Sequence, residues 1–254
     1  YFLALKGYKP TVFEKESRPG GMLMNGIPSF RLEKDVVEAE IDILREMGVE
    51  FKCGVEVGKD VTIPELRRQG YKGFFVAVGL QNGTKLQIPG ADSAGVIAGI
   101  DFLRQVNLEG EYKLSGKVVV IGGGNVACDV ARTAVRCNAE SVSMYCLESY
   151  EEMPCGVEER TECEKEGITI HAGWGPAEIT ANNGKTTGIT FKKCLSVLDD
   201  EGRFAPTYDE SSTETVECDV VLYCIGQKGD WQQLLAGTNV EFNPNGTVKA
   251  DPVT

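Results

Sequence analysis

Apolar and polar positions follow a pattern that predicts short strands and helices, one after another, along the chain. Residues 118–121 are all β-branched and apolar, too short a run for a helix, and three glycines follow at 122–124. Small and apolar residues then recur at helical spacing between 127 and 135, and a second β-type run covers 141–147. This order predicts a strand, a glycine turn, a helix and a second strand, which is the βαβ unit of dinucleotide-binding sheets.

The glycine turn has the residue types that binding a dinucleotide requires. Gly122 lets the chain turn sharply, Gly124 lets the backbone approach a pyrophosphate, and Ala127 allows the helix to pack closely. The helix N-terminus offers N–H groups and a partial positive charge to the phosphates. Glu148 follows the second strand, where a carboxylate accepts a hydrogen bond from a ribose 2′-OH. The alternative is a purely structural turn, with Glu148 merely solvated.

Before this unit, the pattern predicts the second half of another one. Helices are predicted over 1–7, 35–48, 64–69 and 98–106, and strands over 10–14, 49–53 and 71–79. The first strand ends on Glu14, which is either a second ribose-binding acid or an ordinary strand end. Gly20 and Gly21 form a turn that either approaches a ligand or only redirects the chain.

After the unit, the pattern predicts a polar helix over 157–166 and then a β-meander over 168–225, with a hairpin turn at 199–202. The apolar run at 220–226 ends on Gly226, as the strand at 71–79 ends on Gly79. Such ends lie where ligands bind in open α/β sheets, although a core strand with a glycine turn gives the same pattern. His171 lies away from every motif, so we interpret it as structural rather than catalytic.

Composition restricts the class of protein. The 254 residues are 42% hydrophobic and 25% charged, as in a soluble protein, and no apolar run is long enough for a membrane helix. The net charge of −12 argues against nucleic-acid binding. Nine cysteines without a C-x-x-C pair predict reduced thiols in a cytoplasmic protein and no metal site. The chain has no initial methionine and ends after a strand-like segment, so we expect a piece of a longer protein.

Several stretches together resemble one family. The chain is similar to the flavin-dependent NAD(P)H oxidoreductase module of the glutamate synthase small subunit, which dihydropyrimidine dehydrogenase and electron-bifurcating transhydrogenases also contain. This module belongs to the pyridine nucleotide-disulfide oxidoreductase superfamily. The resemblance covers nearly the whole chain, and its matching stretches are Phe13-Glu14-Lys15, Gly20-Gly21-Met22, Gly26 to Leu32, Ile88-Pro89-Gly90, Gly122 to Arg132, Met153-Pro154 and Cys218 to Gln227.

The resemblance implies an α/β fold with two three-layer, Rossmann-like domains. An NAD(P) domain over 100–227 is inserted into an incomplete FAD domain over 1–99 and 228–254. On the FAD side it implies that Glu14 holds the adenosine ribose, that Met22 and Arg31 lie along the flavin cofactor and that the Val57 backbone lies near adenine. Gly21 and Gly79 are further cofactor-binding candidates there.

On the NAD(P) side the resemblance implies one residue set for each part of the nucleotide. The glycine turn and the start of the helix surround the pyrophosphate, and the segment after the last strand covers the nicotinamide half. These residues are Gly123, Gly124, Asn125 and Val126 for the pyrophosphate, and Cys224, Ile225 and Gly226 for the nicotinamide, with Gly122 as a further cofactor-binding candidate at the turn. The implied reaction is hydride transfer from the nicotinamide C4 to flavin N5, which requires no catalytic side chain.

Two departures from the family pattern matter. Leu147 and Glu148 replace paired basic residues that bind a 2′-phosphate in many relatives, and a carboxylate repels phosphate, so NADH is expected over NADPH. The family's first glycine fingerprint and its last flavin-contacting segment are missing, so we expect weak or no FAD binding and a fragment inactive alone.

The expected partner is an iron–sulfur domain or subunit, with a glutamate synthase large subunit or another reductase subunit. The alternatives are a thioredoxin-reductase-like flavoenzyme and a non-catalytic NAD-binding module.

Overall fold

In the computed structural model of the chain, residues 1–110 and 112–251 are described, and the chain divides into two compact units. Unit 1 comprises Tyr1–Asn82 and the segment that begins at Lys228, and unit 2 comprises Gly83–Gln227. The first boundary lies before residue 83 rather than at residue 100, because residues 83–99 include a strand of the main sheet of unit 2. Which cofactor each unit takes stays a prediction.

Unit 1 contains a two-stranded parallel sheet and short helices. Its helices and strands are α1 (Phe2–Leu5), β1 (Thr11–Glu14), α2 (Met22–Asn25), α3 (Lys34–Glu46), β2 (Glu50–Cys53) and α4 (Ile63–Arg68). Strand β1 pairs in parallel with β2, and a small apolar core contains Met24, Val37 and Ile41. The predicted strands over 10–14 and 49–53 are therefore confirmed.

Helix α3 follows the predicted periodicity. Val37 and Ile41, one turn apart, are its buried residues, and Gly48 adopts a φ of 85° just beyond its end. With 13 residues it is also the longest described helix. Crossing a bilayer takes about 20 apolar residues, and no helix in the described part of the chain is long and apolar enough for that.

The strand predicted over residues 71–79 is wrong. No strand forms there, and Phe75 is 91% exposed. An apolar run becomes a strand only where neighbouring strands pair with its backbone and other residues cover its side chains. In the described part of unit 1, β1 and β2 pair only with each other, so the run has no sheet to join.

In the first part of unit 2, strands and helices alternate along the chain, and long antiparallel strands follow them. Two short strands at its ends, β3 (Asn82–Gly83) and β12 (Gln227–Lys228), pair with each other. The remaining helices and strands are β4 (Val96–Ala98), α5 (Gly99–Glu109), β5 (Lys117–Ile121), α6 (Asn125–Arg136), β6 (Ser141–Cys146), α7 (Val157–Lys165), β7 (Thr169–Ala172), β8 (Trp174–Asn182), β9 (Lys185–Leu198), β10 (Phe204–Glu217), β11 (Val220–Tyr223) and β12 (Gln227–Lys228).

Three layers form unit 2. Its central sheet is parallel, with the strand order β4-β11-β5-β6-β7, and β8, β9 and β10 form a separate antiparallel sheet. Val118 and Val120 of β5 pack in one apolar cluster with helix α6. Val119 alternates to the other face, where it packs with Ile189 and Phe191 of β9. Strand β5 is thus buried on both faces, as its continuous apolar run predicts, and the α/β fold is confirmed.

The predicted β-meander over 168–225 is only partly correct. Its central strands do form an antiparallel sheet, and the predicted turn at 199–202 joins β9 to β10. However, β7 lies parallel to β6 at the edge of the central sheet, and β11 lies between β4 and β5. Alternation of apolar and polar residues identifies a strand but not its partner, so the pattern alone does not distinguish the two sheets.

Candidate functional site

The ends of three parallel strands meet at Gly122. Its N–H donates a hydrogen bond to the Tyr145 carbonyl at 2.8 Å, and the Cys224 N–H donates to the Ile121 carbonyl at 2.7 Å. Gly122 has a φ of 139°, and a Cβ atom there would lie 2.6 Å from the Cys224 carbonyl oxygen. Only glycine fits this position, because both the backbone angle and the neighbouring backbone exclude a side chain.

Gly124 leaves an open space at the start of α6. No described atom outside its chain neighbours lies within 4 Å of the position that a Cβ atom would take there. No side chain caps the helix, and among the described residues no group accepts from the N–H of Asn125 or Val126. Free N–H groups at a helix N-terminus, beside backbone without a side chain, are the usual binding arrangement for a phosphate.

The Glu148 carboxylate faces this turn. Its Oε2 lies 3.0 Å from the position that a Cβ atom on Gly123 would take. The Glu148 carbonyl also accepts a hydrogen bond from the Gly173 N–H at 2.7 Å, which fixes the backbone after β6. A half-buried carboxylate beside a glycine turn is the arrangement that accepts hydrogen bonds from a ribose in dinucleotide-binding sheets, and the role of Glu148 in such a contact stays a prediction.

The loop between β6 and α7 closes against the glycine turn. The Cys155 N–H donates to the Gly123 carbonyl at 3.0 Å, and the Gly156 N–H donates to Asn125 Oδ1 at 2.9 Å. The Asn125 side chain therefore holds this loop, while its backbone N–H stays at the helix N-terminus. The sequence analysis did not predict the contact between Cys155 and Gly123. The only feature of the sequence that pointed to this loop was the Met153-Pro154 motif directly before Cys155.

The segment after β11 lies beside the turn. A Cβ atom on Gly99, the first residue of α5, would lie 2.4 Å from Cys224 Sγ, so Gly99 is required for this packing. Sequence reasoning missed Gly99, since a glycine that opens a helix has no distinctive spacing. Ile225 is partly exposed, and the Gly226 carbonyl accepts from the Thr84 N–H at 2.9 Å. The predicted residues after β5, β6 and β11 thus come together in unit 2.

The candidates Glu14 and Val57 of unit 1 lie near the carboxyl ends of β1 and β2. Glu14 Oε1 accepts from the Glu16 N–H at 2.9 Å, and the Glu14 carbonyl accepts from the Val55 N–H at 3.0 Å. Val57 forms an isolated bridge with Val61. The Glu14 carboxylate therefore orders the turn after its own strand, and its contact with a ribose stays a prediction.

The other candidates of unit 1 are spread along the chain. Gly21 has a φ of 53° and directly precedes α2, in which Met22 is the first residue. Arg31 is exposed between α2 and α3. Gly79 has a φ of 64° and lies in the segment that forms no strand. Gly21 thus offers accessible backbone at a turn, while the FAD contacts of all four residues stay predictions.

Buried thiols surround the base of the turn without forming a disulfide. All nine cysteines are free. Burial raises the pKa of Cys146 to about 12 and the pKa of Cys155 to about 11. A hydrogen bond with Cys163, together with burial, raises the pKa of Cys128 far above its usual value. Because the thiolate is the nucleophile, these protonated thiols are unsuited to disulfide exchange at neutral pH.

His171 has a structural environment. Its ring stacks on Tyr145 with the centroids 4.3 Å apart and the planes nearly parallel. Tyr145 stacks in turn on Phe191 at 4.0 Å, so the three rings connect the central sheet with the antiparallel sheet. Packing in this stack accounts for a histidine at position 171, and no catalytic role is needed to explain it.

Comparison with known proteins identifies several relatives of this chain. The chain is 38% identical, over its full length, to the NADP(+)-dependent formate dehydrogenase subunit beta of Moorella thermoacetica, and covers 36% of that protein. It is 34% identical to the glutamate synthase [NADPH] small chain of Azospirillum brasilense, over 88% of this chain and 49% of the relative. A third relative, the NAD-dependent dihydropyrimidine dehydrogenase subunit PreT of Escherichia coli, is 36% identical over 75% of this chain and 44% of its own. The chain therefore spans between a third and a half of these relatives.

Solved structures share the fold. FprA of Mycobacterium tuberculosis in complex with NADPH matches with a TM-score of 0.77 at 19% identity, over 96% of this chain and 70% of the other. Thioredoxin reductase of Lactococcus lactis matches with a TM-score of 0.68 at 18% identity, over 99% and 80%. The family model described as pyridine nucleotide-disulphide oxidoreductase matches residues 47–253, most of the chain. The chain thus belongs to the pyridine nucleotide-disulphide oxidoreductase family, whose members use FAD and NAD(P).

Proposed function

We propose that this chain is part of an NAD(P)H-dependent flavin oxidoreductase, that unit 2 binds the nicotinamide nucleotide and that NADH is preferred. The observation that carries the proposal is the Glu148 carboxylate, 3.0 Å from the Cβ position of Gly123 and beside the uncapped N-terminus of α6. The helix N-terminus favours the pyrophosphate, and the carboxylate favours a ribose with a free 2′-OH.

The donor set of unit 2 fits this nucleotide. The N–H groups of Asn125 and Val126 bind the pyrophosphate, and the absence of a side chain on Gly124 lets the phosphates approach them. Cys224 and Ile225 pack beside the nicotinamide half and exclude water. When both cofactors are bound, they supply hydride transfer from nicotinamide C4 to flavin N5, and the protein orients them.

FAD is proposed to bind unit 1, with Glu14 on its adenosine ribose. The described residues of unit 1 provide only part of such a site, because β1 and β2 form a sheet by themselves and residues 71–79 form no strand. Turnover is accordingly proposed for the longer protein, and nucleotide binding for this chain.

We further propose that the electrons pass from the flavin to an iron–sulfur domain or subunit in the cytoplasm, with a glutamate synthase large subunit or another reductase subunit as the wider partner. The sequence has no C-x-x-C pair that would accept them, and the thiols beside the turn have raised pKa values. The three relatives above are named as subunits or as a small chain, which supports transfer to a partner protein.

A titration tests the proposal. NADH and NADPH are added separately to the purified chain and followed by nicotinamide fluorescence, with and without added FAD and ferricyanide as the electron acceptor. We expect NADH to bind more tightly than NADPH. Tighter binding of NADPH would refute the nucleotide preference, and binding of neither would refute the site. Binding of NADH without ferricyanide reduction after addition of FAD would favour a non-catalytic module.

A further inference from the structure

A cleft of about 330 Å³ lies in unit 2 at the carboxyl ends of β6 and β7, where β9 passes them. Its lining residues include Leu147 and Ser149, the two neighbours of Glu148 in the chain. Gly173 and Lys193 also line it, as does Glu152, whose carboxylate accepts a hydrogen bond from the Ser149 hydroxyl. The cleft therefore lies beside the chain segment that carries Glu148, the residue that we assign to the adenosine ribose.

Lys193 places a positive charge at this cleft. Its Nζ atom lies 5.0 Å from the centre of the Trp174 ring and 3.0 Å from the position that a Cβ atom on Gly173 would take. The N–H of Gly173 donates to the Glu148 carbonyl at 2.7 Å, so the ammonium group lies beside the backbone segment that carries Glu148. A cation over an aromatic ring is weakly attracted to the ring and keeps its charge.

The neighbouring Lys192 differs in its environment. It pairs with Glu210 across β9 and β10 and does not line the cleft. The ion pairs among the described residues include Lys192 but not Lys193. The ammonium group of Lys193 is therefore the one of the two that is available to a ligand.

We propose that Lys193 is a second determinant of nucleotide specificity, which contacts a 2′-phosphate on the adenosine ribose. This inference rests on the proposed function, in which Glu148 holds the same ribose. Glu148 accepts from a free 2′-OH and repels a phosphate, whereas Lys193 attracts the phosphate. The four-carbon stem lets the ammonium group move from Trp174 to the ligand. The ratio of the affinities for NADPH and NADH thus depends on the balance of the two charges.

Two small probes without a nicotinamide test the contact of Lys193 with the 2′-phosphate, and their binding does not depend on hydride transfer to a flavin. AMP and adenosine 2′,5′-bisphosphate differ only in the 2′-phosphate, and their dissociation constants are measured by calorimetry for the wild type and for Lys193→Gln. We expect the substitution to weaken binding of the bisphosphate about tenfold and binding of AMP no more than about twofold. Lys193→Arg, which keeps the charge, restores binding of the bisphosphate.

Lys192→Gln is the matched control, since it removes the same charge one residue away and outside the cleft. We expect it to leave the ratio of the two dissociation constants unchanged, while thermal melting confirms that each variant folds. An unchanged ratio in Lys193→Gln, with NADH still bound, would overturn the role of Lys193 alone. If the wild type binds none of NADH, AMP and the bisphosphate, the proposed function and this inference both fail.

Discussion

The substitution Gly124→Ala separates nucleotide binding from folding. Gly124 has a φ of −89° and a ψ of 173°, which alanine adopts without strain. Apart from its chain neighbours, no described atom lies within 4 Å of the new methyl group. The folded state therefore accommodates alanine, and the reduced entropy of the unfolded chain stabilises the protein by about 0.4–1 kcal/mol. For a protein of this size, we expect a rise in Tm of about 1–4 °C.

The same methyl group occupies the space through which the pyrophosphate approaches the N–H groups of α6. Forcing an extra methyl group into a packed contact costs about 1–3 kcal/mol. We therefore expect the Kd for NADH to rise about fivefold to 150-fold. The assay is a fluorescence titration with NADH, paired with thermal melting of the same preparation.

Gly122→Ala is the contrasting variant. Its Cβ atom would lie 2.6 Å from the Cys224 carbonyl oxygen, at a φ of 139°. The backbone at Gly122 and at Cys224 has to move to make room for the methyl group. We therefore expect the free energy of unfolding to fall by about 1–3 kcal/mol and Tm to fall by several degrees. Gly124→Ala with unchanged or raised Tm and an unchanged Kd for NADH would refute the assignment of the glycine turn to the pyrophosphate.

Three further predictions follow from other parts of the molecule. Glu148→Gln removes the repulsion of a phosphate, so the ratio of Kd values for NADPH and NADH should fall about tenfold in fluorescence titrations; no change would contradict the role of Glu148. Hydrogen bonds from Arg136 and Arg132 hold the pKa of Glu166 below its usual range, so their stabilisation is present above about pH 4.3 and is lost as the pH falls through the lower, folded-state pKa. In urea titrations, Glu166→Gln should therefore cost about 1 kcal/mol at pH 7 and progressively less as the pH falls below about 4.3, whereas a cost that does not fall with pH would contradict a role for these ion pairs. Since residues 71–79 form no strand, the purified chain should be nearly colourless, and a stoichiometric flavin spectrum would contradict this.

The β5–α6–β6 unit of the candidate site was predictable because its signals are local. The signals are the β-branched run, the glycines and the helical spacing, which lie within about 30 residues of one another. Each of them determines the conformation of the residues next to it. The position of Glu148 followed from the same unit, since parallel strands end at one edge of a sheet.

Contacts between distant residues were not predictable in this way. The apolar run at 71–79 resembles β5 in composition, yet β5 has strands on both sides and the other run has none among the described residues. The close approach of Gly99 to Cys224 and the hydrogen bond from Cys155 to Gly123 join segments that sequence spacing does not relate. Lys193 reaches the cleft from β9, which belongs to a different sheet from β6.

A crystal structure of the chain with bound NADH tests the central claim most directly. We predict pyrophosphate oxygens about 3 Å from the N–H groups of Asn125 and Val126, and a ribose hydroxyl donating to the Glu148 carboxylate. NADH bound elsewhere in the molecule, or bound at this turn with Glu148 directed away from its ribose, would contradict the account.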